Sequence, residues 1–299
     1  MTITGIHYLL TYTCNFECDH CFLYCSPRAS GTFTIGQVKQ TLDEAVKAGS
    51  IDSIFFEGGE PFLYYPLLKE SIAMASARGF KTGVVTNAYG CTSPEDTKLW
   101  LEPLAKAGLN FLSVSNDAFH YGDEQKNPAA IAAAQAKTLN IDISPICIDP
   151  PEINRNADKQ KGEPVVGGGV RFRGRAVEKL TNGLPTSPWE TMQVCPDEDL
   201  AAPSRVHIDP LGEVHLCQGI SMGNWKKTHL SKIFTRYNSQ THPIAGPLIR
   251  GGPAELARAT GFSPAKEYVE NCHLCFDIRR HLLDQFPQFL APTQVYGIS

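Results

Sequence analysis

Apolar and polar positions along roughly the first 185 residues switch repeatedly between two periods. Strand-like apolar runs fall near 3–10, 51–56 (IDSIFF), 80–86 (FKTGVVT), 109–115 (LNFLSVS), 141–149 (IDISPICID) and 165–173. Helical patterns fill the gaps near 34–48, 65–78, 94–107 and 127–139. The third helix is well punctuated: Ser93 suits an N-cap, Pro94 the first helical position, Asp96 a capping-box-like partner and Gly108 the C-terminal stop. Gly49 and Gly79 suit the ends of the first two helices. Repeated strand–helix alternation predicts a parallel sheet. Six units fall short of the ~250 residues of a closed eightfold barrel. The expected fold is therefore α/β, a partial (β/α)6 TIM-like barrel over residues 1–185.

Beyond 185 the alternation stops. Pro-rich pieces (LPTSP, CP, AP) lead to RVHIDPLGEVHLC at 205–217, where Asp209–Pro210–Leu211–Gly212 supplies the turn of a hairpin. Helices are expected near 229–238, 253–260 and 264–285. Residues 186–299 thus read as a small cysteine-rich second domain, in which His207 and Asp209 are expected as hairpin residues near its cysteines.

Composition narrows the class. With 42% hydrophobic and 19% charged residues, the 299-residue chain is globular rather than disordered, collagenous or coiled-coil. A formal charge of −4 and the absence of a basic block argue against nucleic acid or an anionic membrane as partner. MTITGIHYLL has no cationic start, and no run reaches the roughly 18 apolar residues of a membrane span, so a cytoplasmic location is expected. Ten cysteines, about 3%, are too sparse for a disulfide framework and point to metal or redox use.

TYTCNFECDHCFLYC places Cys14, Cys18 and Cys21 directly after the first strand in C-x3-C-x2-C spacing. Three thiolates so close can surround one iron–sulfur or zinc centre. Cys25 extends the run towards a ferredoxin pattern, so zinc and a plain electron carrier stand as alternatives. FFEGGEPF follows the second strand at 55–62. Its glycines permit close backbone approach, although a strand-ending turn would use the same residues.

Together these segments resemble the radical S-adenosylmethionine (SAM) enzymes, over residues 1–185. The resemblance implies a [4Fe–4S] cluster on Cys14, Cys18 and Cys21, with the fourth iron left for SAM and His20 beside the adenine. It implies that Gly58, Gly59, Glu60 and Pro61 bind the methionine amino end, and that Asn87, Ser115 and Asp117 take further contacts, Ser115 and Asp117 at the ribose. It also implies reductive cleavage of SAM to a 5′-deoxyadenosyl radical, fed by a low-potential donor such as flavodoxin or ferredoxin. Gly174–Arg175–Ala176 is like a segment common in relatives.

Cys195, Cys217, Cys272 and Cys275 are similar to the auxiliary-cluster modules called Twitch or SPASM, in the shorter form. That implies a second, closed [4Fe–4S] cluster, with a four-thiolate structural zinc as its competitor. Cys25, Cys91 and Cys147 receive no role, Cys147 being the one expected to face the barrel interior. Tyr12, Asn87, Asp117, His120, Asp149, Arg171 and Arg173 are candidate substrate-lining residues, and Asp117 and His120 candidate catalytic ones. No peptide-recognition domain is expected ahead of a strand that starts at about residue 3. A peptide or protein substrate is favoured narrowly over a small molecule.

Overall fold

The computed structural model describes residues 2–122, 127–155 and 164–298. Five strand–helix steps open the chain: β1 (Gly5–Thr11), α1 (Ile35–Ala48), β2 (Ser53–Gly58), α2 (Tyr65–Ala77), β3 (Lys81–Thr86), α3 (Pro94–Ala107), β4 (Phe111–Ser115), α4 (Pro128–Thr138) and β5 (Asp142–Ile146). Helix ends follow local chemistry. Thr34 and Gln37 form a reciprocal capping box at α1, and Gly49 closes that helix in the left-handed region. Ser93 accepts from Asp96 N as expected, but the Asp96 carboxylate takes a bond from Thr92 Oγ1 instead of returning one to Ser93.

The sixth barrel strand expected at 165–173 does not form. Instead β6 (Glu152–Arg155) and β7 (Pro164–Gly167) make an antiparallel ribbon outside the main sheet. Gly168 and Gly169, both at positive φ, end it before a strand of barrel length can develop. The short α5 (Arg175–Lys179) and β8 (Ser187–Pro188) follow. The sixth parallel strand is β9 (Arg205–Ile208), which pairs with β1 on its other side. The hairpin partner β10 (Glu213–Cys217) and β11 (Ile220–Asn224) extend the sheet antiparallel, giving the order β11-β10-β9-β1-β2-β3-β4-β5. One sheet therefore runs through residues on both sides of position 185.

α6 (Leu230–Arg236), α7 (Ala245–Thr260, broken at Gly251–Gly252), β12 (Glu267–Tyr268) and α8 (Asn271–His281) complete the chain. α8 starts later than the helix expected from 264, because 267–268 pair with β8 and the Glu270 carboxylate caps the helix at Cys272 N.

Strand parity divides the molecule. Ile6, Tyr8, Ile54, Phe56, Val84, Leu112, Val206 and Ile208 join the helices in one core. The alternate residues face the barrel interior. A second core unites Tyr12, Leu23 and Cys25 of the first cysteine loop with Leu216, Leu248, Leu274, Phe276 and Tyr296. The C-terminal segment is thereby packed directly on that loop.

Candidate active site

At the carboxyl ends of the parallel strands lies a cavity of about 210 Å³. Cys14, Cys18, His20 and Cys21 line it together with Gly58, Gly59, Asn87, Ser115, Asp117 and His120. Strand-end loops are where barrels build their sites. All ten cysteines are free thiols.

The cysteine loop is held by backbone fit. Gly59 lies so close to the loop that a Cβ would come within 2.1 Å of Thr13 O, and Gly59 N donates to Thr11 O. Gly174, at φ +62°, touches Phe22 Cα in the same way, and a side chain there would displace the loop. Arg175 then fastens it: N donates to Cys21 O, Nη1 to Cys18 O at 2.6 Å and Nη2 to Cys25 O at 2.9 Å. Arg175 is buried and serves the loop rather than the cavity.

Glu60 also turns inward. Its carboxylate accepts from Phe62 N, Thr86 Oγ1 and Asn87 N, tying the end of β2 to the end of β3. Burial nevertheless pushes its carboxyl up to about 7. Pro61 is the buried first residue of a short 3₁₀ turn. Asn87 Nδ2 donates to Asn15 Oδ1 and reaches Cys14 Sγ at 3.9 Å.

Across the cavity a polar chain forms. Asp117 Oδ1 pairs with His120 Nδ1 at 2.8 Å, and His120 Nε2 stands 3.6 Å from Cys18 Sγ. Burial raises the Asp117 carboxyl, but the hydrogen bond and charge of His120 outweigh it and hold it below its ordinary range. His20 Nδ1 is buried with no protein partner, and its ring lies 4.4 Å from Phe119. Burial lowers the His20 imidazole to about 4, so it is neutral. Burial pushes Cys14 and Cys18 up to about 12, so a metal must displace their protons. Cys21 is lowered by a hydrogen bond from buried Cys25, which gives Cys25 a place the sequence did not assign.

The remaining candidates divide. Tyr12 is fully buried on Asp209, which also anchors its own turn, so neither lines the cavity. Asp149 lies in the segment that bridges to Gly169. Cys147 is exposed rather than interior. Arg171 and Arg173 both pair with Asp197. Cys91 is buried in the main core.

Arg173 belongs to the second cysteine site. Cys195, Cys217, Cys272 and Cys275 surround a space of about 20 Å³ together with Arg173, Asp197 and Arg279. Arg173 Nη1 donates to Cys217 Sγ at 3.1 Å. Arg279 is 2% exposed and donates to Gln218 O and Cys275 O. Cys272 and Cys275 occupy the first turns of α8, and burial raises both thiols, Cys275 to about 12. The role of Arg279 was missed in the sequence, since a lone arginine carries no positional signal, and Arg175 stood there only as part of the Gly174–Arg175–Ala176 segment, with no role.

The radical SAM superfamily model matches residues 8–122, a little over a third of the chain. YydG of Bacillus subtilis (strain 168), named as a peptide biosynthesis protein, is 26% identical over 36% of this chain and 34% of its own length. An S-adenosylmethionine-dependent nucleotide dehydratase of Selenomonas ruminantium is 29% identical over 37% of this chain and 38% of its own. The chain thus spans little more than a third of these relatives. A crystal structure of BtrN in complex with AdoMet and 2-DOIA superposes with a TM-score of 0.55 at 16% identity, covering 93% of each chain, a likeness of fold. Members of the superfamily are enzymes that use a [4Fe–4S] cluster and SAM. Among the described residues, no helix is long and apolar enough to cross a membrane.

Proposed function

We propose that the chain is a radical SAM enzyme whose Cys14, Cys18 and Cys21 hold the catalytic [4Fe–4S] cluster. The observation that carries this is the convergence at one cavity of Cys14, Cys18 and Cys21 with Gly58, Gly59 and the strand-end polar groups Asn87, Ser115 and Asp117. When bound, the cluster supplies the electron that cleaves SAM to the radical that abstracts hydrogen from the substrate. The protein's residues bind and orient. His20, neutral and with an unpartnered Nδ1, suits an adenine edge. Ser115 and Asp117 suit ribose hydroxyls, and the Gly58–Gly59 backbone suits the amino end of the methionine. Asp117 orients His120 against Cys18.

The substrate reading is a peptide or protein side chain, supported by the resemblance to YydG. A small molecule is the second reading, supported by the likeness to the nucleotide dehydratase and by Glu57, a carboxylate lining the cavity. A low-potential flavodoxin or ferredoxin would deliver the electron.

Cys195, Cys217, Cys272 and Cys275 are read as ligands of an auxiliary [4Fe–4S] cluster.

The test is anaerobic. Reconstituted, dithionite-reduced protein should convert SAM to 5′-deoxyadenosine, and Cys18→Ala should abolish this while retaining about four irons of an initial eight or so. Fully loaded wild-type protein that makes no 5′-deoxyadenosine overturns the reading.

A further inference from the structure

Three side chains outside both cysteine sets converge inside the barrel. His7 on β1 is in register with His207 on β9, and Glu57 on β2 is the next inward residue after Phe55, which pairs with His7. His7 Nδ1 lies 3.3 Å from Glu57 Oε2, and His207 Nε2 lies 3.0 Å from Glu57 Oε1. One donor atom from each falls within 4.8 Å of the others, the one such set of His, Cys, Asp or Glu among the described residues.

The spacing suits ligands of a single ion. Imidazole nitrogen and carboxylate oxygen sit about 2.0–2.2 Å from zinc, which places neighbouring donors about 3.0–3.5 Å apart. Each histidine addresses a different oxygen of the carboxylate. Charge points the same way. Among the described residues no lysine or arginine pairs with Glu57, only the two imidazoles. A carboxylate withdrawn from water needs a counter-charge. His207 is 5% exposed, with Nε2 turned to Glu57.

We propose that His7, Glu57 and His207 bind one divalent transition-metal ion, a two-histidine, one-carboxylate site distinct from both cysteine sets. This donor set suits zinc, iron(II) and their neighbours rather than magnesium or calcium. Glu57 also lines the cavity above, so the ion adjoins the space where substrate would lie.

Holoenzyme carrying its iron is incubated with Zn2+, desalted and assayed for both metals by mass spectrometry. About one zinc per chain is expected beyond the iron. Its X-ray absorption should show a nitrogen/oxygen shell at about 2.0–2.1 Å, not sulfur at about 2.3 Å. In a His7→Gln/His207→Gln double variant the zinc should fall about tenfold or more, with iron unchanged. No zinc on the wild type, a sulfur shell, or zinc retained by the double variant would each overturn the proposal and leave a hydrogen-bonded triad only. If the double variant does not fold, the wild-type shell decides alone. Iron content is read separately, so failure here is distinct from failure of the cysteine sites to load.

Discussion

The two cysteine sites differ in what surrounds the sulfurs. Cys14, Cys18 and Cys21 border a cavity of about 210 Å³ that Asn87, Ser115, Asp117 and His120 also line. Cys195, Cys217, Cys272 and Cys275 line a space of about 20 Å³, with half-buried Arg173 and buried Arg279 against them. An open set leaves a position for a co-ligand. A set closed in by Arg173, Asp197 and Arg279 leaves less room for one. The difference lies in surroundings that cysteine spacing does not encode.

The comparison breaks first if the sites are not independent. Cys217→Ala should remove about half the iron and leave measurable SAM cleavage, whereas Cys18→Ala removes the other half and all cleavage. Iron analysis and 5′-deoxyadenosine assay of the two variants side by side check this. Equal loss of activity and of all iron in both would mean one shared site.

Arg175 tests how the open site is held. Its guanidinium is buried and bonds two carbonyls of the cysteine loop. Hydrogen bonds from a charged group contribute roughly 1.5–3 kcal/mol each, and the orphaned carbonyls add a cost. Arg175→Ala should therefore lower stability by about 3 kcal/mol in denaturant titration. It should weaken iron retention at the first site and spare the second. Uniform loss at both would show that Arg175 supports the fold generally.

Arg173 sharpens the contrast from the other side. It donates to Cys217 Sγ and is the charge closest to that sulfur. Hydrogen bonds and charge near a sulfur raise a cluster's potential. Arg173→Gln should lower the midpoint potential of the second site by about 50 mV, the equivalent of one lost hydrogen bond of about 1 kcal/mol. A redox titration followed by electron paramagnetic resonance reads it. The first site's potential should not move.

What the sequence disclosed followed the range of the interactions. Ser93, Gly49 and Gly108 act over one turn, and their caps were legible from neighbours alone. The C-x3-C-x2-C run and Gly58–Gly59 each follow a strand, so their meeting at the cavity could be foreseen from strand order. The sixth barrel strand could not. Residues 165–173 are apolar enough for a strand, yet β9 outcompetes them because Val206 and Ile208 complete the face begun by Ile6 and Tyr8. Arg173 was expected at the substrate, and His207 at the second cysteines. Each side chain is placed by a strand or helix more than 40 residues away, on Cys217 and on Glu57 respectively. Glu60 was expected to face a ligand, but three inward donors hold it.

The smallest effect concerns the frame around the second site. His242 is buried, and its Nδ1 accepts from Ile244 N and Ala245 N at the start of α7, while Nε2 donates to Ser221 O. That pattern requires a neutral ring. Protonating Nδ1 removes both acceptor bonds and charges a buried group. Burial accordingly lowers its folded pKa below the ordinary 6.5. Between the folded value and 6.5 the unfolded chain binds more protons than the folded one, so stability rises with pH across that window and is lost as pH falls through it. His242→Gln keeps an acceptor and a donor but has no proton to gain. It should cost about 1 kcal/mol at pH 7.5 and flatten the decline in melting temperature between pH 6.5 and 5. An unchanged acid slope would mean that the two backbone bonds at α7 do not control protonation there. The open site should not respond, because His242 packs against Tyr237 and Phe289, away from the first cysteines.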